Sequence, residues 1–172
     1  MAHRSLCAGS AGHVRPKGDV SVMHELQDKL LDAPVAIDML VRFAETDAMG
    51  VVHHGAYIVW FECGRVAWMV AAEMPYTEVV ASDHHFAVTG VHASYRASAR
   101  FGDTIRIVTR LAKLRSRQVE FSYEVRNTAD NLLLATGVSE HICVDLAGNM
   151  TKIPPMIFDR LQQGASRLAS NQ

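Results

Sequence analysis

The sequence predicts an α+β fold: one curled antiparallel sheet wrapped around one long central helix. Three observations lead there. Residues 54–72 are almost continuously apolar, with Glu62 and Arg65 as the only carboxylate and guanidinium in the run. Four strand-like runs follow between residues 86 and 145, separated by short turns that favour antiparallel pairing. The apolar helix is then the one element able to cover a face of that sheet.

The elements come in order. Residues 1–22 are rich in Gly, Ser, Ala and His and read as a flexible N-terminal tail. Arg4, Arg15 and Lys17 precede the first acid, Asp19, a bias shared with organelle presequences, but no amphipathic period accompanies it. Met23 is a possible internal start. Leu26, Leu30 and Leu31 suggest a short helix over 23–32, ended by Pro34. Val35, Ile37, Met39, Val41 and Phe43 alternate and predict a strand over 35–44. The segment 45–56 carries acids and two glycines and breaks that period. The helix over 54–72 would be about 28 Å long, and a helix apolar on nearly all sides must be enclosed by other structure. After Pro75 comes a loop with Asp83, His84 and His85, then strands over 86–100, 104–115, 118–127 and 132–145. The third of these is the clearest, with Val119, Phe121, Tyr123 and Val125 alternating against polar neighbours. Pro154 and Pro155 open a last helix with Ile157, Leu161, Ala165 and Leu168 on one stripe. The organisation expected is therefore a tail (1–22), one domain (23–155), and a C-terminal helix and tail (156–172).

Composition narrows the function. The chain has 172 residues, 17 Lys+Arg against 18 Asp+Glu, and a net charge of -1, which argues against a dedicated nucleic-acid binder. With no apolar stretch of about 18 residues free of charge, no membrane span is expected. Three widely spaced cysteines without a CxxC pair fit a reducing cytoplasm better than a disulfide framework. A sheet with one covering helix leaves apolar surface and an open edge, so a homo-oligomer is expected, dimer or tetramer.

The chemistry concentrates between the first strand and the central helix. Asp47 precedes a glycine turn, and a helix N-terminus with unpaired amides follows within a few residues. Such amides stabilise a developing oxyanion, and a carboxylate beside them attacks a carbonyl or activates water. Read by spacing alone, Asp47 equally serves as a turn cap through the amides near Thr46 or Gly50.

Residues 41–65, VRFAETDAMGVVHHGAYIVWFECGR, resemble the signature of hot-dog-fold acyl-CoA thioesterases of the 4-hydroxybenzoyl-CoA thioesterase/YbgC type. Thr46, Asp47, Gly50, Val51, Val52, His54, Tyr57, Phe61, Glu62 and Arg65 fit the pattern T-D-x-x-G-V-V-x-H followed by F-E-x-x-R. Residues 86–107 and 132–145 extend the resemblance over roughly residues 35–155. It implies hydrolysis of an acyl-CoA or acyl-carrier-protein thioester to the free acid. Asp47 then matches the catalytic nucleophile or general base, the His54 backbone amide the oxyanion donor, and Gly50 the point of close backbone approach. Ala56 departs from the family, which often has Asn there as a support for the turn or the site.

The resemblance implies no tightly held cofactor, since coenzyme A is part of the substrate. His53-His54 and His84-His85 are adjacent pairs that diverge, so no metal site is expected. Arg96, Arg100, Arg106, Arg110, Lys113, Arg115 and Arg117 read either as solvated strand faces or as a phosphate-binding rim, with Arg100 favoured for substrate. Tyr57, Trp60 and the 75–86 loop are candidate liners of an acyl cleft. The competing reading is a non-catalytic acyl-CoA-binding protein, a sensor or scaffold; a hydratase and metal-assisted hydrolysis stand further off.

Overall fold

The computed structural model describes residues 33–170. The expected tail over 1–22 and the short helix over 23–32 lie outside the described residues. Five strands form one antiparallel sheet: β1 (Val35–Leu40), β2 (His84–Tyr95), β3 (Thr104–Leu114), β4 (Gln118–Asn127) and β5 (Leu133–Asp145). Their spatial order is β1-β3-β4-β5-β2, so β1 and β2 are the edges. The central helix α1 (His54–Ala71) lies across the concave face, followed by a short helix α2 (Tyr76–Ala81). The last helix, α3, runs Pro155–Ser170.

The core sits between α1 and the sheet. Phe61 stacks on Tyr123 at 4.5 Å, and Trp68 meets Phe121 edge-on at 5.5 Å. Gly64 lets the helix settle on β3, where a Cβ would stand 2.3 Å from Thr109 Oγ1. Burial is one-sided, however. Tyr57, Trp60, Phe61, Gly64, Trp68 and Met69 face inward, while Ile58, Val59, Val66 and Val70 are exposed. The helix is thus covered on one side rather than enclosed.

Four expectations need correction. The first strand stops at Leu40, and Phe43 lies 75% exposed instead of continuing the buried row. There the chain curls into a 3-10 turn over Phe43–Glu45, because the Arg42 amide and guanidinium both donate to the Glu45 carboxylate, each at 2.8 Å. The 75–86 loop contains α2 and ends early, since β2 begins at His84. The run over 86–100 stops as a strand at Tyr95, and a bulge between Val88 and Gly90 interrupts its alternation. Val88 and Val91 therefore stand opposite His141 and Ser139 and both belong to the concave face, whereas strict alternation would have grouped Val91 with Ala87. Finally, β2 does not pair with β3. Residues 96–103 carry the chain from one edge region towards the other, and β2 pairs with β5.

The C-terminal helix is part of this core rather than an appendage. Ile157, Leu161 and Ala165 are fully buried. Arg160 and Arg167 donate to the carbonyls of Glu73 and Ala72, at 2.7 and 2.8 Å, and so satisfy groups just past the end of α1.

Candidate active site

The segment between β1 and α1 folds back on itself. Thr46 bridges Val52, the Asp47 amide donates to Val51 O at 2.9 Å, and the His53 amide donates to Glu45 O at 2.8 Å. These bonds bring residues 45–47 alongside residues 51–53, immediately before the helix begins. Gly50 makes the reversal, with φ +71, a left-handed conformation that disfavours side chains. A Cβ at Gly50 would meet nothing closer than Arg100 Nη1 at 3.9 Å, so the glycine serves the turn rather than tight packing.

The turn is anchored from below. Glu45 is 8% exposed and accepts from Arg42 and, at 3.1 Å, from Trp60 Nε1. Burial alone would raise its pKa, but the hydrogen bonds from Arg42 and Trp60 outweigh this and hold the carboxyl below its usual value. From the side, the Val52 amide donates to Ala99 O at 2.9 Å. Sequence reasoning missed Glu45; its only signal was the Arg42-x-x-Glu45 spacing of a reciprocal cap.

The helix entry leaves one amide open. His53 is the N-cap, and its Nδ1 accepts from the Gly55 amide at 3.1 Å. The Ala56 amide donates to His53 O at 2.9 Å. Among the described residues no partner accepts from the His54 amide, which lies between the satisfied amides of His53 and Gly55. On the other side, the Tyr95 hydroxyl donates to His54 O at 3.1 Å and ties the entry to β2.

A cleft of about 350 Å³ opens here, lined by Arg42, Thr46, Asp47, His53, Gly55, Val59 and their neighbours. Asp47 is exposed on its wall. One carboxylate oxygen, Oδ1, accepts from the Met49 amide at 2.8 Å, which orients the group. This is the turn-capping role, played through Met49 rather than Thr46 or Gly50. The second oxygen makes no hydrogen bond among the described residues. Arg100 reaches the same turn from the crossover, donating to Gly50 O at 3.4 Å.

Other candidates fall elsewhere. Tyr57 is only 2% exposed and does not line the cleft; its hydroxyl accepts from the Ala99 amide at 3.4 Å, and its ring packs on Trp60 and Tyr95. It supports the site from behind. Trp60 is likewise buried. Of the basic cluster, Arg106 pairs with Asp38 at 2.7 Å, Arg110 with Glu124 at 3.1 Å, and Lys113 with Glu120. Those three brace the sheet, and Arg100 is the member beside the cleft. Ala56, where the family often has Asn, lines the cleft at the first helical turn.

The family model for the thioesterase-like superfamily matches residues 41–161, more than two thirds of the chain. The chain belongs to that superfamily. This thioesterase is 32% identical over 105 residues to the putative acyl-CoA thioesterase YneP of Bacillus subtilis, covering 61% of this chain and 75% of the relative. It is 30% identical over 105 residues to the acyl-CoA thioester hydrolase YbgC of Escherichia coli, covering 61% and 78%. Among solved structures, the hypothetical protein TT1821 from Thermus thermophilus superposes with a TM-score of 0.69 at 40% identity, covering 73% of this chain and 95% of that one. The DHNA-CoA thioesterase from Staphylococcus aureus superposes at 0.70 with 25% identity, covering 80% and 91%. The curled sheet around α1 is the hot-dog fold of these neighbours.

Proposed function

We propose that this thioesterase hydrolyses acyl-CoA thioesters, with Asp47 and the His54 amide as its chemical groups. One observation carries the reading. A carboxylate with a free oxygen and an amide without a partner stand at the two ends of one short reversal, beside one cleft. The names of the B. subtilis and E. coli relatives support a coenzyme A donor.

In the reaction the thioester carbonyl oxygen accepts from the His54 amide, whose position at the N-terminus of α1 adds the helix dipole. Asp47 removes a proton from water as water adds to the carbonyl carbon, or attacks that carbon itself. Negative charge collects on the carbonyl oxygen. Its return expels the thiolate, which takes up a proton to give coenzyme A, and the acid is released, directly or after water hydrolyses the anhydride at Asp47. Arg100, which donates to Gly50 O in the turn, is the proposed partner for a phosphate of the leaving group. No cofactor enters this scheme.

The proposed enzyme is a homo-oligomer, a dimer or a tetramer, supported by the open β2 edge and the exposed apolar side of α1. A reducing cytoplasm suits the free thiols of Cys63 and Cys143.

The test is thiol release across a panel of acyl-CoA esters, with Asp47→Asn beside the unmodified chain. Turnover of at least one ester is expected, falling about 100-fold or more in the variant, while affinity for a non-hydrolysable analogue is kept. Thiol release unaffected by Asp47→Asn removes Asp47 from the mechanism. Binding without thiol release from any ester leaves the sensor or scaffold reading in its place.

A further inference from the structure

Glu45 is joined to α1 at two separate places. Its backbone carbonyl accepts from the His53 amide at the helix cap, at 2.8 Å. Its side chain accepts from Trp60 Nε1, well inside the helix, at 3.1 Å. At 1.5 Å per residue these anchors stand about 10 Å apart along the axis. A single anchor would let the chain pivot about the helix tip, whereas two fix its angle as well as its distance. Asp47 follows with only Thr46 between. Thr46 is fixed by its bridge to Val52, and the Asp47 carboxylate by the Met49 amide. The path from the body of α1 to the reactive carboxylate is therefore short, and Glu45 is its first link.

The chemistry of residue 45 suits that task. Its carboxylate takes three N–H donors: the Arg42 amide on Oε2, and both Arg42 Nη2 and Trp60 Nε1 on Oε1. A carboxylate only accepts, so all three bonds form together. A glutamine of the same shape has one accepting oxygen, and its NH2 group would face a donor. One N–H would then lose its partner. Trp60 is 1% exposed, so water does not readily replace the bond to its indole.

We propose that Glu45 is a positioning residue of the hydrolysis: it sets Asp47 at the distance and angle to the His54 amide at which one carbonyl group meets both. The inference rests on the thioesterase reading above. Glu45 contributes to the cleft wall, but both its oxygens are engaged by these donors, so it acts through Asp47 and not on the substrate.

Kinetics of the full chain on the ester it turns over best test this. Glu45→Gln should lower kcat about 10-fold to 100-fold, the range that a misplacement of about 1 Å produces, with KM changed by less than about twofold. Trp60→Phe removes only the donor from the helix and keeps a buried ring. It should lower kcat about fivefold in the same pattern, and it carries the test if Glu45→Gln lacks a cooperative urea transition. Asp47→Asn supplies the comparison. Added to it, Glu45→Gln should leave the residual rate within about twofold, because nothing remains for Glu45 to position. Losses that multiply in the double variant overturn the inference, as does an unchanged kcat, or a change confined to KM, in the folded variants. Each of these leaves the thioesterase reading standing. If the unmodified chain releases no thiol from any ester, that reading fails instead, and hydrogen exchange decides the positioning. The Asp47 and Met49 amides should then exchange about tenfold faster in Glu45→Gln relative to the amides of β4; an unchanged ratio overturns it.

Discussion

Two buried titratable residues show what holds the functional end of the molecule together. Glu45 carries the Arg42 and Trp60 hydrogen bonds with its side chain, and its carbonyl holds the His53 amide. His141 stays neutral beneath α1. Both make stability depend on pH in the same direction. An unfolded histidine takes up its proton near 6.5, and this one does so only near 4 when folded. The unfolded state therefore binds more protons between those values; the stabilisation is complete above the window and is lost as pH falls through it. Glu45, depressed in the fold, adds a loss at the acid end as pH drops through its folded value. Urea midpoints should fall between about pH 7 and about pH 5, and His141→Gln should flatten that slope. An unchanged slope in the variant would remove His141 as its source. Asp47 and His54 were legible in the sequence because the T-D-x-x-G-V-V-x-H spacing places both. Tyr123, Ser139 and His141, whose side chains hydrogen-bond in that order at 2.6 and 2.8 Å, were not legible as a group, since they come from two strands and meet only through the register Tyr123–Gly137 and Phe121–Ser139.

At the level of elements, α1 is positioned by what it lacks. Gly64 sits over Thr109 and Ile107, where an added Cβ would fall 2.3 and 2.9 Å from their side chains. Gly64→Ala should cost about 1–2 kcal/mol in urea unfolding, because overpacking of about 1–3 kcal/mol exceeds the gain of about 1 kcal/mol from better helix propensity. A stabilised variant would show that the helix has room to ride outward. The strand over 118–127 was read to the residue because one face is buried and the other is not, which makes the alternation unbroken. The first strand was read too long because Val41 and Phe43 preserve the period after the backbone has left it. The α2 turn of helix was missed because six residues are too few to show a period. The bulge at Thr89 has no sequence mark beyond Gly90, so the facing of β2 could only be seen in the paired sheet.

At the scale of the whole molecule, the exposed residues form a pattern. Val88, Val91 and Tyr95 on the open edge β2 share the concave side with Ile58 of α1. Light scattering should give a mass of at least twice 18.9 kDa, and Val88→Lys should lower it by placing a charge on that edge. A single-chain mass for the unmodified protein would sink the oligomer. That the sheet needed covering was legible from the single long helix, but which edge stays open was not, because the strand order depends on where residues 96–103 cross. That crossover also reaches the site: Ala99 accepts from Val52 and donates to Tyr57, and Arg100 touches Gly50. The reactive corner is thus a junction between distant stretches of chain, and no fragment ending before residue 96 contains it. Nicking the backbone within this eight-residue span would spare every ladder of the sheet while leaving the hairpin without its brace.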